Sequence, residues 1–162
     1  WQEGAPYFLP DGQTIIFRAW QKTVTTELKR IRKETGQRNQ TPMTIFTMKL
    51  DGSDVQPRTF TNDMNWAPFP APDGEHFVFV RAETPRNWEV YLGYMDGKTP
   101  PKRLTFDEGF DGFPAISPDG RKMVWTSSRS SAGAGFMQGL RLHVMDVSAL
   151  NLGPKKASRR KS

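Results

Sequence analysis

The chain has 162 residues, 36% of them hydrophobic and 25% charged, with 14 Gly, 13 Pro and a net charge of +6. This describes a turn-rich globular chain with one modest core, and excludes a disordered or coiled-coil protein. No apolar run reaches the roughly 18 residues that a membrane-crossing helix needs, and the absence of cysteine excludes disulfides, thiolate zinc sites and a cysteine nucleophile while leaving the redox compartment open.

In chain order, the first feature is a short apolar segment, Pro6-Tyr7-Phe8-Leu9, that runs into the triplet Pro10-Asp11-Gly12. The arrangement recurs at Pro68-Phe69-Pro70-Ala71 before Pro72-Asp73-Gly74, and at Pro114-Ala115-Ile116-Ser117 before Pro118-Asp119-Gly120. In such a triplet Pro sets φ, Asp bonds nearby backbone and Gly supplies the positive φ that closes the turn, so Asp11, Gly12, Asp73, Gly74, Asp119 and Gly120 are read as structural turn residues. Strand-like runs follow each triplet at 14–18, 76–81 and 122–127, and third runs at 43–50, 89–95 and 140–147. These third runs alternate well enough to be half-buried strands, and in the last of them Leu140, Leu142 and Val144 share one face.

Asp51-Gly52 and Asp96-Gly97 predict turns into fourth strands at 58–61 and 102–106. The third unit has no such turn and no evident fourth strand; it continues instead into Ala149-Leu150-Asn151-Leu152-Gly153-Pro154. The predicted organisation is a first blade at 1–62, a second at 63–108, an incomplete third at 109–148 and a basic tail at 149–162. Each unit is one antiparallel sheet of up to four strands.

The residues that carry the pattern best are Ser117-Pro118-Asp119-Gly120-Arg121-Lys122, Thr126-Ser127-Ser128-Arg129, Tyr94-Met95-Asp96-Gly97 and Arg103-Leu104-Thr105. They resemble the WD-like Pro-Asp-Gly β-propeller repeats of TolB and of the propeller domains of some serine peptidases, over about residues 4–147. Units one and two depart from the pattern, with Leu9 and Ala71 where Ser is usual. The resemblance implies an all-β, partial propeller of about three blades, and specifies fold far more than function. Propellers need about 4 to 8 blades to close, so burial is expected to be finished by further protein.

The first unit is longer: 62 residues separate Pro10 from Pro72, against 46 between Pro72 and Pro118. The excess lies at 21–41, where Val24, Leu28 and Ile31 are spaced for a short amphipathic helix that Gly36 would end. Residues 22–40 carry +4 and residues 155–161 carry +5, leaving −3 on the rest of the chain. Lys29, Arg30, Arg32 and Lys33 of the insertion, with Lys155, Lys156, Arg159 and Arg160 of the tail, are therefore the candidate partner-binding residues, for an anionic membrane surface or an acidic protein patch. The alternative is a solvated helix and a free end; nucleic acid is not the expected partner.

Catalysis finds little support. The sequence has no Gly-x-Ser-x-Gly elbow, and neither His76 nor His143 has a partner that its position in the chain supplies. The stretch Asp107-Glu108-Gly109-Phe110-Asp111-Gly112 fails as a calcium loop, with Gly109 at the third ligand position and Pro118 where the closing Glu belongs. Gly133 to Gly139 reads as a loop rather than a dinucleotide fingerprint. Trp66, Trp88, Trp125, Phe69, Phe110 and Phe113 either fill the gaps between blades or form a stacking platform.

No cofactor or metal is expected. The leading functional expectation is a non-catalytic protein-binding scaffold, an accessory subunit of a larger membrane-associated bacterial complex. The resemblance to TolB implies that it faces the periplasm, with any signal peptide or upstream domain lying outside the sequence given. The alternatives are the propeller of a serine peptidase and a carbohydrate- or ligand-binding propeller.

Overall fold

The structure is a computed structural model that describes residues 2–20, 42–61, 63–129 and 137–155. The predicted helix at 21–41 and most of the loop before Gly139 lie outside the described residues. Three antiparallel sheets follow one another along the chain. The first holds β1 (Gln2–Phe8), β2 (Thr14–Trp20), β3 (Thr44–Lys49) and β4 (Gln56–Pro57), in that order. The second holds β5 (Asn65–Pro70), β6 (His76–Thr84), β7 (Asn87–Tyr94) and β8 (Lys102–Arg103), and the third β9 (Asp111–Ile116), β10 (Lys122–Ser127) and β11 (Arg141–Asp146). The all-β, partial-propeller reading of the repeats holds, with sheets of four, four and three strands.

Each Pro-Asp-Gly triplet turns a first strand into a second. The N–H groups of Gly12, Gly74 and Gly120 donate to the carbonyls of Leu9, Ala71 and Ser117. Asp11 Oδ1 accepts from the N–H groups of Gln13 and Thr14 at 2.9 and 3.0 Å, and Asp73 Oδ1 from those of Glu75 and His76 at 2.9 and 3.1 Å.

The boundaries differ from expectation at two places. First strands start upstream of their prolines, because each absorbs its proline into a β-bulge. Fourth strands are short, and β4 lies just before the predicted 58–61. The hydroxyls of Thr59 and Thr105 take ladder positions, accepting from the N–H groups of Ile45 at 3.0 Å and Val90 at 2.8 Å, and the backbone leaves the sheet there.

Blades stack face to face, and strand alternation sends one strand's side chains to two interfaces. Phe77 and Phe79 of β6, with Tyr91 of β7, pack on Leu9, Ile16 and Ile45 of the first blade. Val78 of β6, with Val90 and Leu92 of β7, packs on Met123 and Trp125 of the third. Gly93 is required where it stands, because a Cβ there would strike the Phe77 ring.

Strand register makes Ile16, Val78 and Val124 equivalent, as it does Ile45, Val90 and Leu142, and Thr47, Leu92 and Val144. In the first two blades these residues are buried under the next blade. In the third, Leu142 is 76% and Val144 65% exposed. The alternation makes β11 a strand with one covered side, but Leu142 and Val144 are on its open side: among the described residues no sheet lies over them.

After β11 the chain forms a 3-10 turn, Ser148–Leu150, and then crosses the turns of the second and third blades. Leu152 enters the core between them, and its carbonyl accepts from the Asp73 N–H at 3.1 Å. Gly120, at φ 72°, leaves room for this crossing, since a Cβ there would collide with the backbone of Gly153. Truncation of this fully buried side chain, Leu152→Ala, is expected to cost about 2–5 kcal/mol of stability. Urea denaturation checks it, and an unchanged midpoint would show that the crossing segment is not part of the core.

Candidate functional site

The innermost strands β1, β5 and β9 stand side by side. Each bulge contains a residue in the left-handed region directly before a proline: Ala5 at φ 51°, Ala67 at 46° and Phe113 at 52°. Such positions are held only where surrounding structure over-determines them. They bend the three strands around one concavity of about 380 Å³, walled by Tyr7, Trp66, Phe69 and Phe113, with Arg18 of β2 beside them. The rings meet edge to face, Tyr7 on Phe69 at 5.1 Å and Trp66 on Phe113 at 4.9 Å between centroids. The Arg18 guanidinium lies 6.0 Å from the Trp66 centroid.

The six aromatic residues singled out in the sequence thus divide. Trp125 and Phe110 are core, Trp88 is half-buried between Phe110 and Trp66, and Trp66, Phe69 and Phe113 line the concavity.

Around the blades run charge-assisted pairs. The buried Glu89 carboxylate takes Arg103 and, at 2.6 Å, the Thr105 hydroxyl. Burial pushes the Glu89 carboxyl above its ordinary range, and these two partners offset part of that rise. Asp111 accepts from Trp125 Nε1 at 3.1 Å and from Arg129 Nη2 at 2.6 Å, which commits the carboxylate of the rejected calcium loop to the core. Arg81 bonds Asn65 Oδ1 at 3.1 Å and lies 3.5 Å from Asp63. The Arg-Leu-Thr and Ser-Arg pieces of the repeat pattern are, in this chain, the partners of buried acids.

Of the predicted binding residues, Lys155 makes an ion pair with Glu75 at the turn of the second blade, both side chains remaining well exposed. Lys29, Arg30, Arg32, Lys33, Lys156, Arg159 and Arg160 lie outside the described residues. His76 does have a neighbour, contrary to the sequence reading: its Nδ1 lies 2.6 Å from Asp73 Oδ2, because the tight turn folds residue 73 back over the start of β6. His143 stacks on Trp125 with ring centroids 5.5 Å apart. Arg18 and Tyr7 were not singled out in the sequence. The signal that could have found Arg18 is its place in the repeat, since the equivalent residues are Val80 and Thr126.

One ionisation should report on the interface between the first and second blades. The Tyr91 phenol is pushed up to about 12, first by burial and then by donating to Glu83 at 2.6 Å. The folded chain therefore holds this proton more tightly than the unfolded chain, and stability is expected to fall as pH rises from about 10 towards 12. In an ultraviolet titration the Tyr91 phenol should ionise above the ordinary tyrosine range, and Glu83→Gln should bring it part of the way back.

No family model matches the chain. It is similar to an uncharacterized protein of Agrobacterium fabrum, 29% identical over 129 residues that cover 74% of this chain and 38% of the relative. Among solved structures, TolB from Acinetobacter baumannii superposes with a TM-score of 0.64 at 22% identity, over 90% of this chain and 30% of that one. A puromycin-hydrolyzing peptidase of Mycobacterium tuberculosis superposes with a TM-score of 0.59 at 16% identity, over 93% of this chain and 21% of that one. The chain thus spans less than half the length of the proteins it resembles. Three successive antiparallel sheets stacked face to face, with their first strands around a common concavity, give this chain the fold of a partial TolB-like β-propeller.

Proposed function

We propose that this chain works as a non-catalytic protein-binding scaffold, an accessory part of a larger, membrane-associated bacterial complex in which propeller blades are the contact surface. The observation that supports this most is the bare apolar face of the third blade, where Leu142 and Val144 stand in the open at positions that are buried in the other two blades. Large apolar side chains at repeat-equivalent positions are the chemistry of blade stacking, so the expected occupant is another blade.

The basic residues fit the same reading. Lys29, Arg30, Arg32 and Lys33 in the insertion, and Lys156, Arg159 and Arg160 beyond the Lys155–Glu75 pair, would draw the chain to an acidic protein patch or an anionic membrane surface. The periplasm is the compartment this reading implies.

A second reading is favoured by the likeness to the M. tuberculosis peptidase: the chain would be the propeller of a serine peptidase whose hydrolase lies elsewhere. A photo-crosslinking benzoylphenylalanine at position 142, used in the producing cells, separates the two. The scaffold reading expects cross-links to propeller repeats in a complex that carries no hydrolase. It also expects Val144→Lys to cut cross-linking at least tenfold and to shift the assembly to smaller size. Attachment to a hydrolase would establish the second reading, and an absence of any cross-link would sink the scaffold reading.

A further inference from the structure

The partly buried arginines of the blades share a pattern that one of them breaks. Arg81, Arg103 and Arg129 each face a carboxylate, of Asp63, Glu89 and Asp111. Arg58 donates to the Thr47 hydroxyl at 2.9 Å and to the Met95 carbonyl at 2.6 Å. Arg18 has no oxygen acceptor among the described residues. Its Nη1 lies 3.3 Å from the Met43 sulfur, a weak acceptor, and its Nε is buried without a hydrogen-bond partner. A buried donor left unpaired is costly, and more so when it carries charge.

The fold does not require this charge, since the equivalent positions in the other blades hold Val80 and Thr126. Nor is the guanidinium loosely placed. It lies against Gly4, where an added Cβ would collide with it, and beside the Trp66 ring. The concavity it borders is about 380 Å³, within the range of small-ligand sites, and among the described residues no acidic side chain lines it.

We propose that this concavity binds a carboxylate carried on a flat apolar group, the two carboxylate oxygens meeting the guanidinium of Arg18 and the apolar part lying among Tyr7, Trp66, Phe69 and Phe113. A planar fork of N–H donors matches a planar pair of oxygens. Phosphate suits the site less: it is the more strongly hydrated anion, and beyond Arg18 the wall offers it aromatic carbon rather than further cationic donors. The acid can be a free small molecule or the C-terminal carboxylate of a peptide, which share this chemistry. The proposal stands independently of the scaffold reading, which concerns a different surface.

Calorimetric titration of the full chain with phenylacetate, phenylacetamide, N-acetylphenylalanine and N-acetylphenylalanine amide tests it. Each acid is expected to bind at least tenfold more tightly than its amide. Arg18→Met should abolish that difference while leaving weak amide binding, and Arg18→Lys should restore part of it. Trp66→Ala should weaken acids and amides alike, which guards against mistaking a collapsed variant for a lost charge. Tighter binding of phenylacetate would identify a free acid as the ligand type, and of N-acetylphenylalanine a chain end. Failure of both acids to bind, equal affinity for acid and amide, a preference that survives Arg18→Met, or equal binding of inorganic phosphate would each overturn the proposal.

Discussion

A sheet with two apolar faces is stable only if both are covered, and the second blade shows how this chain meets that demand. Its central strand β6 reads Phe77-Val78-Phe79-Val80, apolar throughout rather than alternating with polar residues, and all four side chains are buried. The two phenylalanines go to the first blade and Val78 to the third. Large side chains on one side and smaller branched ones on the other give each interface a ring-against-aliphatic character. The arrangement is repetitive, so whatever covers the end blades must match a surface already defined by the blades between.

That repetition explains how much of the fold could be read from residues alone. The Pro-Asp-Gly turns announce themselves because three residue types with separate conformational roles fall together, and strand β10 lies where its apolar run predicted. The bulges were less visible. Pro6, Pro68 and Pro114 recur in register, but only the backbone shows that Ala5, Ala67 and Phe113 before them turn left-handed and bend the strands. Leu152 was beyond reach for another reason: its burial depends on a segment without strand periodicity crossing turns that are distant in the chain.

The candidate sites were legible in inverse proportion to their sequence contrast. Runs of Lys and Arg attract notice, yet Lys155, the described member, is engaged with Glu75 of its own chain. Arg18 attracts none, because a single arginine in a strand is ordinary until its partners are known. Register supplied what composition could not, by setting it beside Val80 and Thr126 and showing that three comparable arginines have acids while this one does not. The aromatic residues behave the same way: Trp125 and Trp66 look alike in sequence, and only the choice of strand sends one into the core and the other to the concavity.

The segment that carries Leu152 joins two blades at a single rim, through the Asp73 N–H and the close passage of Gly153 over Gly120. At the opposite rim the same two blades are joined again, where the chain passes from β8 into β9 and the Trp88 N–H donates to the Gly109 carbonyl at 2.8 Å. The pair is stitched at both ends of its spine. Residue 152 supplies the stitch at the end the covalent passage does not reach, so splaying between these blades must begin by releasing one of the two.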